Sequence, residues 1–212
     1  MTVQLLVIAK APVPGRVKTR LCPPCTPAQA AAIAAASLSD TLATATATPA
    51  VRRTMVLSGQ YAAPPGWWVA PQRGTELGER LAHAFADTAL PGVASLLIGM
   101  DTPQITPELM SSVAARLSGA DAVLAPAHDG GWWALALREP AHAGGLTSVP
   151  MSTPDTCAQT AALLSGRGLR VEYGPTLRDV DTAGDARQVA ADAPQTAFAA
   201  AVERHLPTLA AR

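Results

Sequence analysis

VQLLVIAKAPVPGRVKTRL, residues 3–21, decides the fold. Val3–Ile8 is an uninterrupted, largely apolar and β-branched run, the composition of a strand buried on both faces. Ala9–Pro24 follows as a loop of Pro, Gly and basic residues. Thr26 then suits an N-cap and Pro27 the first helical position of a helix running to about Ala47. Strand, basic loop and long helix are the opening of a βαβ unit.

The alternation continues down the chain. Strands are expected at Arg53–Ser58, Trp67–Ala70, Ala94–Ile98, Ala122–Ala125, Trp132–Leu137 and Arg170–Tyr173. Helices are expected at Leu77–Thr88, Thr106–Leu117, Pro154–Arg167, Ala183–Ala193 and Thr196–Leu209, with Thr106 capping the second of these and Pro107 at its first position. Short strands alternating with helices of this length imply a mainly parallel sheet. No internal repeat and no long linker divides the chain, so one α/β domain over residues 1–212 is expected.

Composition narrows the partners. Sixteen basic and sixteen acidic residues leave no net charge among 212 residues, of which 49% are hydrophobic and 15% charged. With no Lys/Arg block there is no electrostatic footprint for nucleic acid. No apolar run reaches the roughly 18–20 residues that span a bilayer. The first residues lack a basic n-region and reach Lys10 after five apolar residues, too short for a signal-peptide core, so a cytoplasmic location is expected. Three cysteines, an odd number, argue against a disulfide scaffold. Cys22-Pro-Pro-Cys25 is a lone CxxC, placed too early for a helix-start redox motif and without the second pair that zinc needs. Oligomeric state stays open, because an apolar interface and core look alike in an alanine-rich chain.

In open α/β sheets ligands sit beyond the carboxyl ends of the strands, and four motifs fall there. The loop Ala9–Leu21 gathers Lys10, Arg16, Lys18 and Arg20 around Gly15, a turn whose amides and cations suit phosphates, although neither GxxxxGK[ST] nor GxGxxG is present. Gly99-Met-Asp-Thr-Pro103 ends the most hydrophobic strand with Asp101, a natural hard-metal ligand; Thr106 is the better helix cap, which leaves Asp101 available. His128-Asp-Gly-Gly131 reads as turn chemistry that also lets backbone approach a ligand closely. Arg178-Asp-Val-Asp-Thr182 places Asp179 and Asp181 at i and i+2, on one side of an extended segment. That juxtaposition needs a cation or basic group to offset it, unless one of the two carboxylates caps the following helix. With Asp101 they could complete a shell for Mg²⁺ or Mn²⁺ whose remaining ligands are phosphate oxygens. Of the pairs Trp67–Trp68 and Trp132–Trp133, strand alternation turns one member inward.

Together these motifs resemble a bacterial family of GT-A-fold glycosyltransferases that includes the arsenosugar-biosynthesis glycosyltransferases. The resemblance is carried by K-x-P-x-P-G-x-x-K-T-R-L over residues 10–21, Gln72-Arg-Gly-Thr-Glu-Leu-Gly-Glu-Arg-Leu81, Gly99–Pro103, Pro126-Ala-His-Asp-Gly-Gly-Trp-Trp133, Ser152-Thr153 and Asp179-Val-Asp-Thr182. It implies a three-layer α/β/α, Rossmann-like fold of the nucleotide-diphospho-sugar transferases, related to the small nucleotidyltransferases of molybdopterin and isoprenoid synthesis. By the same resemblance, Lys18 and Arg16 would hold phosphates and Asp101 would be the principal metal ligand, with Asp179 or Asp181 the second. Gly74, Glu79 and Arg80 would lie near the nucleotide, and Asp129, Gly130 and Gly131 near sugar or acceptor. Trp132 and Trp133 stand where the family usually carries tyrosines, so a phenol becomes a donor-only indole, with Trp132 beside the substrate. Gly99–Pro103 has one Asp where a glycosyltransferase carries Asp-x-Asp, and a lone Asp with a distant Asp-x-Asp also resembles nucleotidyltransferases.

The leading expectation is a metal-dependent glycosyltransferase using a nucleotide-diphospho-sugar donor. Lys18 and Mg²⁺ or Mn²⁺ would stabilise the leaving diphosphate, and Asp129, or failing it His128, would take a proton from a small-molecule acceptor. The alternatives are a nucleotidyltransferase joining an NTP to a sugar phosphate or similar metabolite with release of pyrophosphate, an enzyme rearranging the nucleotide sugar, and a non-catalytic nucleotide-binding module. Base, sugar, acceptor and stereochemistry are left open.

Overall fold

The computed structural model describes residues 3–207. One sheet of seven strands runs through it: β1 (Val3–Lys10), β2 (Arg53–Ser58), β3 (Trp68–Pro71), β4 (Ala94–Ile98), β5 (Ala122–Pro126), β6 (Trp132–Leu137) and β7 (Val171–Tyr173). Their spatial order is β3-β2-β1-β4-β6-β5-β7. Six strands run in one direction. β6 alone is reversed, inserted antiparallel between β4 and β5.

The helices are α1 (Pro27–Ala47), α2 (Leu77–Thr88), α3 (Pro107–Arg116), α4 (Thr156–Gly166), α5 (Ala183–Asp192) and α6 (Ala197–His205). Alternation along β1 sends Leu5 and Val7 to one face, where they meet Ala34 and Leu38 of α1 and Val113 of α3. Leu6 points to the other, against Phe85 of α2 and Leu164 of α4. This is the expected α/β/α sandwich, and it is thickened on one side. The far face of α1 presents Ala30 and Ile33 to Val189 of α5 and Phe198 of α6. Alanines along α1 allow helices to approach it closely on both sides.

Local chemistry sets the ends. Thr26 and Gln29 close a reciprocal capping box at α1 with Pro27 at the first position, and Pro49 stops the helix soon after its C-cap Thr48. Thr106 caps α3 by accepting from the Leu109 amide. β1 runs two residues past its expected end, so Lys10 is strand rather than loop. α4 begins at Thr156 instead of Pro154, after Thr153 O has accepted the Thr156 amide. The stretch expected as plain loop winds into 3₁₀ turns at Pro140–Ser148, packed on α2 where Gly78 leaves no room for a side chain beside the Leu146 carbonyl. The expected end of the last helix, Leu209, lies outside the described residues. Among those residues no helix is long and apolar enough to cross a membrane, and Cys22, Cys25 and Cys157 are free thiols.

The reversal of β6 has a local consequence. A reversed strand begins where its neighbours end, so Trp132 and Trp133 arrive at the carboxyl end of the sheet.

Candidate active site

A cleft of about 490 Å³ opens at that end, above β1 and β4. The basic loop, the start of α2, the β5–β6 turn and the segment before α5 form its walls. It is the crevice where open α/β sheets take ligands.

Its charged end is built around Lys18. This residue sits in the left-handed region, φ 48°, at the start of a 3₁₀ turn over Thr19–Leu21, and only 8% of its side chain is exposed. Its ammonium lies 2.7 Å from Asp101 Oδ1 and 3.6 Å from Asp181 Oδ1, and it donates to the Val180 carbonyl. Burial works against the charge on Lys18, but Asp101, Asp181 and Asp179 outweigh it and hold the ammonium above the ordinary lysine value.

Asp101 is free for this because Thr106 caps α3. The Asp179–Asp181 segment is pinned beside it: the buried Val180 donates its amide to Asp101 O at 2.9 Å. Neither Asp179 nor Asp181 caps α5. Thr182 does so, in a reciprocal box with Asp185, whose carboxylate also pairs with Arg178 at 3.0 Å. Asp181 instead pairs with Arg20 at 3.0 Å. Asp179 has a buried oxygen, Oδ1, with no hydrogen-bond partner. Burial, then the carboxylates of Asp101 and Asp129, push its pKa up to about 7 against the pull of Lys18. Asp101, Asp179 and Asp181 thus face Lys18 and Arg20, and the crowding of carboxylates is relieved in part by Asp179 holding its proton up to about pH 7.

Chemically this donor set suits a divalent cation, since it offers hard carboxylate oxygens, one of them orphaned. Among the described residues, though, no three His, Cys, Asp or Glu side chains are already gathered into a coordination shell. The space between Asp101 and Asp181 is held by the Lys18 ammonium.

Lys10 at the end of β1 and Arg16 of the following loop line the cleft, exposed and without an ion pair among the described residues. Arg20 lines it while bound to Asp181. Gly15 makes the turn at φ 75° and lies outside the lining.

Apolar side chains complete the lining, with Ile8, Leu77, Leu81 and Leu97. Arg80 lines the cleft, its guanidinium held by the Gly74 and Thr75 carbonyls at 3.1 and 2.8 Å. Gly74 and Glu79 do not line it. Glu79 accepts from the Thr75 and Glu76 amides, completing the start of α2, and those two bonds keep its carboxyl below the usual range. A Cβ at Gly74 would press on Glu79 at 2.7 Å.

The β5–β6 turn divides likewise. Asp129 and Gly131 line the cleft, and Asp129 Oδ1 accepts the Gly131 amide at 2.9 Å. Gly130 packs behind it: at φ 89° a Cβ there would overlap the Pro154 carbonyl, and its own carbonyl accepts the Cys157 amide at 2.8 Å. Trp133 is core, 2% exposed, its indole N–H on Pro175 O. Trp132 gives the cleft a ring and its N–H to Thr160.

Among the lining residues that the chemistry of the sequence does not single out are Gln72, Ser152 and Thr153. Gln72 donates its amide to the Ala9 and Val56 carbonyls, tying the ends of β1 and β2. Ser152, at φ 59°, and Thr153 enter from the loop before α4. Ser152-Thr153 and Gln72 stood inside the quoted motifs, and the non-glycine positive φ is invisible without coordinates.

The fold is the α/β fold of the nucleotide-diphospho-sugar transferase type, found in sugar transferases and nucleotidyltransferases alike. Residues 29–153, more than half the chain, match the family described as "Uncharacterized protein conserved in bacteria (DUF2064)", and the chain belongs to that family. The match contains Asp101 and Asp129 and stops short of Lys18, Asp179 and Asp181. No curated protein matches the chain. Among solved structures, it is similar to a protein from Desulfovibrio desulfuricans G20 provisionally described as a nucleotide-diphospho-sugar transferase, with TM-score 0.86 and 24% identity over 96% of this chain and 95% of that one. A Mycobacterium tuberculosis glucosyl-3-phosphoglycerate synthase, solved with Mn²⁺, UDP and glucosyl-3-phosphoglycerate, is similar at TM-score 0.52 and 14% identity, over 84% and 70%. The 2-C-methyl-D-erythritol 4-phosphate cytidylyltransferase of Thermus thermophilus is similar at TM-score 0.53 and 16% identity, over 95% and 99%. At these identities the likeness concerns the fold.

Proposed function

We propose that the protein is a metal-dependent transferase that takes a nucleotide-diphospho-sugar as donor and passes the sugar to a small-molecule acceptor. The observation that carries this is the charged part of the cleft, where Lys18 and three aspartates from two distant segments converge in a cleft also lined by Lys10 at the end of β1 and Arg16 of the following loop. The same cleft also carries apolar lining, Ile8, Leu77, Leu81 and Leu97, a character that suits a nucleoside. The fold, and its likeness to the synthase solved with Mn²⁺ and UDP, support the same reading.

Asp101, with Asp179 and Asp181, would hold Mg²⁺ or Mn²⁺, which when bound supplies Lewis-acid stabilisation of a leaving diphosphate. Arg16 and Lys10 bind and orient the phosphates from the solvent side, and Lys18 offsets negative charge from within. Asp129, one oxygen fixed by the Gly131 amide, uses the other to take the proton of an acceptor hydroxyl at the cleft's mouth. Gly131 and the ring of Trp132 bound the sugar, while Arg80 borders the nucleotide.

One observation favours a second reading. Lys10 and Arg16 are two cations beyond those already paired with carboxylates, enough for a triphosphate, and a nucleotidyltransferase acting on an NTP and a phosphorylated metabolite would use them. A thermal-shift panel of NDPs, NTPs and NDP-sugars with and without Mn²⁺ tests both. A ligand at a hundred times its Kd stabilises by about 2.7 kcal/mol, roughly 5–10 °C for a chain of this length. A Mn²⁺-dependent shift with one base, followed by release of free NDP from the NDP-sugar, is the expected result. Pyrophosphate release from NTP selects the second reading, and a flat panel rejects both.

A further inference from the structure

We infer that Lys18 is the resident cation of the carboxylate cluster, holding free divalent metal off until a diphosphate draws its ammonium away. The inference rests on the metal-and-diphosphate reading above and adds to it an order of binding.

An ammonium carries three protons. Here it faces three oxygens: Asp101 Oδ1 at 2.7 Å, the Val180 carbonyl, and Asp181 Oδ1 at 3.6 Å. A divalent ion seated between Asp101 and Asp181 would need carboxylate oxygens at about 2.0–2.6 Å in the space that the ammonium holds, while the other oxygen of Asp181 is already paired with Arg20, and two cations cannot share that space. The carboxylates themselves are reachable. Asp101 and Asp181 side chains are 43% and 38% exposed, whereas that of Lys18 is 8% exposed. The cluster is therefore open to an incoming ion and blocked by its own lysine. Asp179 Oδ1, buried and unpartnered, is a ligand position that the lysine leaves unused.

Relief must come from an anion. Lys18 lines the cleft, and its flexible stem lets the ammonium turn from carboxylate to phosphate without moving the turn that bears it. A diphosphate that captures the ammonium bares Asp101 and Asp181, and the metal it brings fills the space. By linkage, metal and anion must then tighten each other's binding, and the metal-free protein does not retain loose Mn²⁺.

Mn²⁺ alone, titrated into the full-length protein and followed by the electron paramagnetic resonance of the free ion, reads this without turnover. Lys18→Met, near in volume and uncharged, should bind Mn²⁺ at least about tenfold more tightly than wild type. Lys18→Arg should gain nothing, and adding Asp101→Asn to Lys18→Met should abolish the gain. Equal affinities in wild type and Lys18→Met, whether both bind or neither does, overturn the inference. If Lys18→Met does not fold, Lys18→Gln is read identically. A wild type stabilised by nucleotide and Mn²⁺, with no gain in Lys18→Met, removes this inference alone. A gain in Lys18→Met with a flat nucleotide panel removes the nucleotide reading and leaves the lysine's place in the cluster intact.

Discussion

On one wall of the cleft Lys18 reaches across 162 residues of sequence to the Val180 carbonyl, and Arg20 across 161 to Asp181. At the start of α2 and in the β5–β6 turn, by contrast, Glu79 reaches back four residues to the Thr75 amide and three to that of Glu76, while Asp129 reaches forward two to Gly131. The first set of charges satisfies itself through the fold and involves little backbone beyond the Val180 carbonyl, so it can be released to a ligand. The second completes helix starts and turns, and freeing it would undo local structure. Substitutions in the first set should therefore act on binding, and those in the second that only complete local structure mainly on stability, Asp129 keeping one oxygen for the cleft.

The sharpest attempt to break that contrast is at Asp101. Asp101→Asn should cost about a hundredfold in Mn²⁺-dependent nucleotide affinity, near 2.7 kcal/mol, measured by calorimetry. The melting temperature should change far less, because the amide oxygen still accepts from Lys18 and Asp181 stays beside it. Unchanged metal dependence would take Asp101 out of the site. In the β5–β6 turn the effect inverts at Gly130. Gly130→Ala forces a side chain into a left-handed backbone against the Pro154 carbonyl and should destabilise by about 2–3 kcal/mol, lowering Tm by roughly 5–10 °C. The nucleotide-induced shift should survive on top of the lower baseline. A Gly130→Ala protein of normal stability that no longer binds would put this glycine at the ligand after all.

The same contrast explains what could be read from the sequence. Thr26-Pro27 and Thr106-Pro107 announce helix starts because each cap and its target amide lie three residues apart. The strands β1 and β4 announce themselves by composition alone. That Asp101 was free followed from Thr106 being the better cap, and the need of Asp179 and Asp181 for an offsetting basic group followed from their spacing. Which group offsets them did not: nothing local to Lys18 points to Asp101 or Asp181, and its expected partners were phosphates. Likewise the hairpin Ala122–Leu137 is legible as two strands and a turn, while the insertion of β6 beside β4 depends on a pairing distant in sequence. Glu79 and Gly74 entered by resemblance as neighbours of the nucleotide. The structure gives them the start of α2, a role that their spacing from Thr75 and Glu76 could have suggested.

Glu79 offers a smaller and more discriminating test. If its work is capping, Glu79→Gln should be nearly silent, since an amide oxygen accepts the same two N–H groups, and Glu79→Ala should lower Tm by about 2–4 °C. Nucleotide affinity should be equal in both variants. A loss of affinity in Glu79→Gln at unchanged Tm would mean that the charge itself meets the ligand, and the division between the two sets would fail there.

The smallest expected effect is that of pH on the α5 cap. Burial alone would raise the Asp185 carboxyl, but hydrogen bonds from the Thr182 hydroxyl and amide and from Arg178 outweigh it and hold it below its ordinary value. A carboxyl depressed by folding contributes its stability in full above the unfolded pKa, near 3.9, and loses it as pH falls through the lower folded value. Wild type should therefore melt a degree or two above Asp185→Asn from neutrality down to about pH 4, with the gap closing below that. Asp185 lies four residues from Asp181 in a segment whose other carboxylates serve the cleft, so added Mn²⁺ and nucleotide should leave this gap unchanged. A gap that widens with ligand would join the α5 cap to the binding set and move the boundary between the two kinds of charge from Asp181 to Asp185.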